Sequence, residues 1–484
     1  MRLTECLFKA SLLAAGTGLS LAFGVVVQSP AQQTGTLPAE LLANLARLRD
    51  AALASDYAWQ QVAHLSENIG PRLAGSLQAE AAVNYVANEL RRLGLEVKLE
   101  DVTVPHWVRG EEKAELTKYP GQAAGTVQKI VLTALGNSAA TPADGLTADV
   151  VVVSDFDELT ALGHDKVAGR IVLFNEKFDK RMAAAGRAGA AYSQAVAYRG
   201  RGPRAAATLG AVAALVRSVG SADYRLPHTG ASGRAGIPAA AVAAEDADLL
   251  AHLTQQGRVV MHLVLTPQTL PDVVSHNVIA DLKGSEHPEQ IVIVSGHLDS
   301  WDLATGATDD AAGVAVAMAA AELCKRLGLT PRRTLRVVAW MNEENGGSGN
   351  KRYMAEYESS LSNHIAAIES DLGAGHPLGF AGMFSASARA PLRQIAKVLS
   401  PIGATLVEES GHAPADVSPM GRRGVPAFGL MQDERTYFNY HHTAADTLDK
   451  IDPQELAENA AVMVVLGFAL ADMPEALPRV TGSE

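Results

Sequence analysis

The chain has 484 residues, 48% hydrophobic and 19% charged, enough for two compact units or one with a large insertion; this composition excludes a disordered chain and a polytopic membrane protein. A formal net charge of -12 argues against a nucleic-acid partner, because phosphate-backbone binding needs clustered Lys and Arg to displace counterions. The only cysteines are Cys6 and Cys324, which excludes a disulfide framework and a four-cysteine zinc site.

Residues 1–31 read as a cleavable secretory signal: Arg2 and Lys9, an apolar run over residues 10–27, then "SPA" before "QQ". The length of that run leaves an uncleaved anchor as the alternative. A secreted or periplasmic protein with no stable membrane partner is expected. From residue 37, "LPAELLANLARLRDAALASDYAWQQVAHL" and "AEAAVNYVANELRRLG" carry helical spacing on either side of "NIGPRLAGS", and "LEVKLEDVTVP" alternates as a strand. Residues 115–267 then read as a separate β-rich module, with short apolar strands such as "GRIVLFN" and "GRVVMHLVL" joined by brief helices. Its middle carries Arg181, Arg187, Arg199, Arg201 and Arg204, which read as a solvated helix-and-loop face.

Residues 38–114 and 268–476 flank this insertion. From Asn277 strands and helices alternate through "QIVIVSGH", "AAGVAVAMAAAELCKRLG", "TLRVVAWM", "IAAIESD" and "VPAFGLM", which predicts an α/β fold with a mostly parallel mixed sheet and helices on both faces. The last helix has Asp452 as N-cap, Pro453 at its first position and Glu455 at its third.

Ligands of open α/β sheets bind at the carboxyl ends of the strands. There the chain places His297 and Asp299, two apart and on one side if the strand continues. Asp309 and Asp310 open the following helix; Glu343 and Glu344, Asp371, and the pair His441 and His442 follow the later strands. Each has a bland reading on its own: helix caps for the Asp pair, exposed loop charges for the Glu pair, a polar loop for the His pair. A solvated rim would mix in Lys and Arg, whereas His or carboxylate residues follow every central strand, so the set reads jointly as a metal centre. Two Zn²⁺ would bring four positive charges, offset by three carboxylates and a hydroxide, with two neutral histidines completing the shell.

With "GPRLAGS", "NVIADLKG", "VSGHLDSWDLATGATDDAAG", "NEENGGSGN", "ESDLGA", "GVPA" and "YHHTAADTLDKID" in order, the sequence resembles the co-catalytic zinc exopeptidases of the aminopeptidase Y type. The resemblance spans residues from about 60 to 475 and implies the zinc exopeptidase fold, with residues 115–267 as an inserted protease-associated domain that covers the cleft and limits substrate length. It implies that His297 and Asp371 bind one of two Zn²⁺, that Glu344 and His442 bind the other, and that Asp309 bridges them. Glu343 would be the general base and acid in attack by zinc-bound hydroxide. Asp299 would orient His297 and tune the site, and His441 would be structural. Members of the family carry a cis peptide within the Asp-Asp pair, so one is expected between Asp309 and Asp310. The segment "SGHAPADVSPMGRRGVPA" follows the family only loosely, so no role is assigned to His412 or Asp416. Tyr437, Phe438 and Tyr440 are candidates for pocket walls or for plain packing.

The implied activity is hydrolysis of dipeptides or short peptides with free termini, as a dipeptidase, aminopeptidase or carboxypeptidase, in a chain that forms a homodimer as its relatives do. A catalytically inactive binding protein on the same fold is the first alternative, separated by metal content and peptide turnover. A glutaminyl cyclase-type acyl transferase is the second; it uses one zinc and makes pyroglutamyl products.

Overall fold

The computed structural model describes residues 36–480; the expected leader and Cys6 lie outside the described residues. The strands β1 (Glu96–Val108), β2 (Gln268–Leu282), β3 (His287–His297), β4 (Arg333–Trp340), β5 (His364–Glu369), β6 (Pro377–Met383), β7 (Leu406–Glu409) and β8 (Ala427–Gln432) form one sheet. Their spatial order is β1, β2, β4, β3, β5, β8, β6, β7. The central strands β4, β3, β5 and β8 are parallel, and antiparallel pairings with β2 and β6 close the two flanks. This is the mixed α/β sheet the sequence predicts, with β6 and β7 added where short, glycine-containing or half-exposed segments carried no strand signal.

The central strands are apolar on both faces because both are covered. Val292, Val294, Val337 and Ala339 pack into the cluster that includes the helices Ala39–Leu53, Ala312–Arg326 and Pro453–Asp472. Their neighbours Ile291, Ile293, Val338 and Trp340 pack on the opposite face against Tyr353, Leu361 and Met420. The helix Pro453–Asp472 starts as expected, with Asp452 accepting from the Gln454 and Glu455 amides at 2.7 and 3.2 Å. It is long and apolar enough to cross a membrane, but 83% of its apolar window is buried, as befits a core helix.

A second eight-stranded sheet uses only strands between residues 112 and 265. Its strand Glu112–Lys118 spans the boundary placed at residue 115 from the sequence. The strands Leu146–Val153, Ile171–Phe174, Ala213–Arg217 and Ala239–Val242 run parallel, joined by helices of which Ala188–Thr208 has 21 residues, so this segment is an α/β layer rather than a β-rich one with brief helices. Nor is it separate: its core takes in Leu73, Trp107 and Trp301 from outside the segment, and both sheets belong to one compact unit.

Candidate metal centre

The site forms where the parallel strands end. β3 ends at His297, β4 runs into the turn carrying Glu343 and Glu344, and β5 ends at Glu369, two residues before Asp371. Asp309 opens the helical segment after β3, and the Asp309–Asp310 peptide is cis. The carboxylate of Asp310 turns away from the cleft and accepts from the amides of His297 (3.0 Å) and Gly313 (2.9 Å), tying the strand end to the helix start. A Cβ at Gly313 would collide with that carboxylate and with the Ser370 carbonyl, so this close approach requires glycine. Asp446 fixes Asp309 from the other side, accepting from the amides of Thr308 (2.7 Å) and Asp309 (3.2 Å). Arg72, fully buried, donates to the carbonyls of Leu65, Gly70, Leu298, Thr305 and Gly306 and so braces the loop between β3 and Asp309.

These supports bring five side chains to one point. His297 Nε2 lies 3.1 Å from Asp309 Oδ1 and 3.3 Å from Asp371 Oδ1. His442 Nε2 lies 3.2 Å from Asp309 Oδ2 and 2.9 Å from Glu344 Oε2. Two three-residue groups result, His297/Asp309/Asp371 and Asp309/Glu344/His442, each with its ligand atoms within 4.8 Å of one another. They share Asp309, which turns one oxygen to each. The buried Oδ2 of Asp309 and Oε1 of Glu344 have no hydrogen-bond partner, as expected of oxygens that serve a cation. The donor set, imidazole nitrogen and carboxylate oxygen only, suits Zn²⁺.

Both histidines are turned for ligation. Nδ1 of His297 lies 2.9 Å from the Asp299 main-chain carbonyl, and Nδ1 of His442 lies 3.3 Å from that of Thr229. A carbonyl only accepts, so Nδ1 of His297 carries the proton and its Nε2 is left bare for a metal; Nδ1 of His442 also has the Arg199 guanidinium at 3.2 Å, and its Nε2 is turned to Asp309 and Glu344. Asp299 therefore orients His297 through its backbone, not its carboxylate. The strand ends at His297, so the same-side parity assumed for Asp299 does not hold. Its carboxylate instead accepts the Glu343 amide at 3.0 Å and holds the turn that presents the two glutamates.

The electrostatics follow from crowding carboxylates in a dry site. Burial would raise Asp309, but the His441, His297 and His442 rings outweigh it and hold this carboxyl well below its usual range. Burial pushes Glu344 up to about 7 and lifts Glu343 well above its ordinary value. For His442, burial acts downward, yet Glu344 and Asp309 push it up to about 9. Glu343 belongs to neither three-residue group, but faces the same cavity of about 910 Å³ as His297, Asp309, Glu344, Asp371 and His442.

Several contributors carried no functional assignment in the sequence. The inserted segment holds the His442 loop: the Ser221 amide donates to the Phe438 carbonyl (3.0 Å), and the Thr229 amide to the His442 carbonyl (2.9 Å). His228 Nε2 meets His441 Nδ1 at 3.0 Å. His441 stacks on His442 with centroids 3.7 Å apart and reaches Asp309 Oδ2 at 3.4 Å, so it lines the centre. Among the five arginines read as a solvated face, Arg181, Arg187, Arg201 and Arg204 are exposed. Arg199 is not: it is 9% exposed and lines the cavity. Tyr437 and Phe438 are buried cavity walls, whereas Tyr440 lies outside the wall; His412 is at the exposed rim, and Asp416 is fully buried.

Residues 277–467 match peptidase family M28. With that match and the similarities that follow, the chain belongs to this family and is a metallo-exopeptidase. It is similar in particular to carboxypeptidase Q of Bos taurus, 39% identical over 432 residues that cover 88% of each chain. The crystal structure of a peptidase M28 precursor from Shewanella amazonensis SB2B superposes with a TM-score of 0.86 at 37% identity, covering 92% of this chain and 99% of that one. A zinc aminopeptidase from Bacillus subtilis shares the fold, with a TM-score of 0.63 at 20% identity over 88% of this chain and 97% of its own.

Proposed function

We propose that this protein is an exported zinc exopeptidase that hydrolyses dipeptides or short peptides with free ends. Two Zn²⁺ would be held by His297, Asp371, Glu344 and His442, with Asp309 shared. Asp309, which faces His297 with one oxygen and His442 with the other, carries this reading. When bound, the ions supply Lewis-acid polarisation of the scissile carbonyl and acidify water at neutral pH.

The chain's own residues do the rest. Glu343 is anchored by its amide to Asp299 Oδ1, so its carboxyl meets the cavity from a fixed turn. Its carboxyl takes the proton of the attacking water and returns it to the leaving amine, a task suited to a group whose buried site favours the protonated form. The Asp299 and Thr229 carbonyls hold the His297 and His442 rings. Substrate lies in the cavity between the sheet ends and the inserted segment, whose Tyr192 and Arg199 form part of the wall. The leader-like residues 1–31 support an exported site of action. Every ligand position is filled, which favours an enzyme over an inactive binding protein, and the double set of ligands favours hydrolysis over cyclase chemistry.

The test is a dipeptide panel with zinc-loaded wild type and Glu343→Gln. The variant should keep its zinc and lose turnover by at least about 100-fold, the scale of general acid-base catalysis. Full activity in Glu343→Gln refutes the mechanism, and the absence of peptide turnover in zinc-loaded wild type refutes the function.

A further inference from the structure

Apart from the metal ligands, two buried ionisable side chains line the cavity with a polar atom that has no hydrogen-bond partner. The first is Arg199, on the helix Ala188–Thr208 of the inserted segment. It forms no ion pair with a carboxylate among the described residues. Its Nη1 donates to the Thr229 carbonyl at 3.1 Å beside His442, while its buried Nε has no hydrogen-bond partner. The neighbouring groups are the Tyr192 ring and the imidazoles of His441 and His442, none of which neutralises it. The space is made for it: at Gly230, with φ of 137°, a Cβ would collide with the guanidinium.

The second is Glu369, the last residue of β5 and fully buried. Its Oε2 accepts from the amides of Asp416 (3.1 Å) and Val417 (3.2 Å), which fixes the carboxyl, while its Oε1 has no partner. No lysine or arginine reaches it among the described residues, and its charged neighbours are mostly further carboxylates: Asp416, Asp371 and Glu343.

The two poles flank different halves of the metal centre. Arg199 adjoins His442 of the Asp309/Glu344/His442 group, whereas Glu369 lies beside Asp371 of the His297/Asp309/Asp371 group. A dipeptide is a molecule with one positive and one negative end, at most about 7 Å apart when extended. Its peptide carbonyl lies between those two ends, as Asp309 lies between the two ligand groups that the poles adjoin. Resting on the zinc-exopeptidase reading above, we infer that Glu369 receives the α-ammonium and Arg199 the α-carboxylate of a dipeptide, so that the enzyme reads both ends of its substrate and acts as a dipeptidase. Glu369 Oε1 accepts from the ammonium, and Arg199 donates to the carboxylate. The ammonium gives Glu369 Oε1 the donor it lacks and the carboxylate gives Arg199 the acceptor it lacks, and a blocked end leaves that group unmatched.

The test uses zinc-loaded protein with a free dipeptide, its N-acetyl form and its C-terminal amide, reading kcat/KM and also equilibrium binding by calorimetry in Glu343→Gln. In wild type, each blocked form should fall by at least about 30-fold in both readouts, the scale of an unpaired buried charge. Glu369→Gln should lose on the free dipeptide and on the amide but not on the acetylated form. Arg199→Met should lose on the free and acetylated forms but not on the amide. Both variants should retain zinc. Equal binding of free and blocked dipeptides by the full-length protein overturns this inference, and needs no variant of either pole to fold. A variant that weakens all three ligands by one factor also overturns it, since that is the mark of a structural role. Selective binding of the free dipeptide without any turnover supports the end-reading while refuting the peptidase.

Discussion

Stripping zinc from this protein should reverse the direction in which its stability responds to pH. In the metal-free fold, burial pushes Glu344 from 4.5 up to about 7, and burial together with Asp309 pushes Asp446 from 3.8 up to about 6. An acid whose folded pKa exceeds its unfolded value keeps its proton longer in the native state. Its contribution is full below the unfolded pKa and disappears as pH rises through the folded one. For Glu344 the window runs from 4.5 to about 7, and at 1.36 kcal/mol per unit it carries about 3 kcal/mol. His442, pushed up to about 9 by Glu344 and Asp309 against the opposing effect of burial, adds the next window. A histidine with a raised folded pKa stabilises below its unfolded value of 6.5 and loses that contribution as pH climbs to about 9. Because these groups sense one another the increments do not add; the buried imidazoles of His228 and His441, held well below their ordinary value, act with the opposite sign but only below 6.5, so metal-free stability falls from about pH 6.5 to about pH 9.

Zinc acts in the opposite direction. It binds only deprotonated imidazole and carboxylate, so its contribution grows with pH and reaches about 2.7 kcal/mol at a free concentration 100 times Kd. Melting temperatures measured across this range, with chelator and with zinc, should therefore diverge as pH rises, the gap widening by several degrees between about pH 6.5 and about pH 8. Two parallel curves would mean that the clustered carboxylates and imidazoles do not hold the metal, and would refute the assignment of the site.

Asp299→Asn should leave zinc affinity within a few-fold of wild type, because a main-chain carbonyl orients His297, while lowering kcat by about 10-fold through the weakened hold on the Glu343 amide; chelator competition beside kinetics checks it, and an affinity loss of about 10- to 100-fold at unchanged kcat counts against it. Gly230→Ala places a methyl group against the Arg199 guanidinium, so KM for a free dipeptide should rise while its C-terminal amide is unaffected, as read by parallel kinetics. Arg72→Met removes a donor from five carbonyls, of which those of Leu65 and Gly306 keep a main-chain amide, and should cost at least about 3 kcal/mol in denaturant unfolding of the zinc-loaded protein.

What the sequence makes legible follows from where each residue's environment is decided. His297, Asp309, Glu344, Asp371 and His442 stand beyond apolar runs such as "IVIV" and "RVVAW", and parallel strands must end on one edge of the sheet, so local pattern and topology suffice to gather them. Asp299 fails the parity argument because β3 stops at His297, a boundary no local signal marks. Glu369 is hidden differently: as the final residue of β5 it reads as the polar end of a strand, and only the fold brings the Asp416 and Val417 amides to it. Arg199 is the least legible, sharing an Ala- and Gly-rich stretch with four arginines that are exposed.

Helical position alone cannot separate Arg199 from Arg201 or Arg204. The difference arises at Gly230 and Thr229, about 30 residues away, and at His442, more than 240 away, which create a slot that one guanidinium fills. Pattern reads the ligands because each belongs to its own strand end, whereas a side chain whose task is to stay unpaired until substrate arrives leaves no pattern of its own. Such a group stands out as a buried ionisable side chain without a partner, and on the walls of this cavity Arg199 and Glu369 are the ones that remain once the ligands Asp309 and Glu344 are set aside.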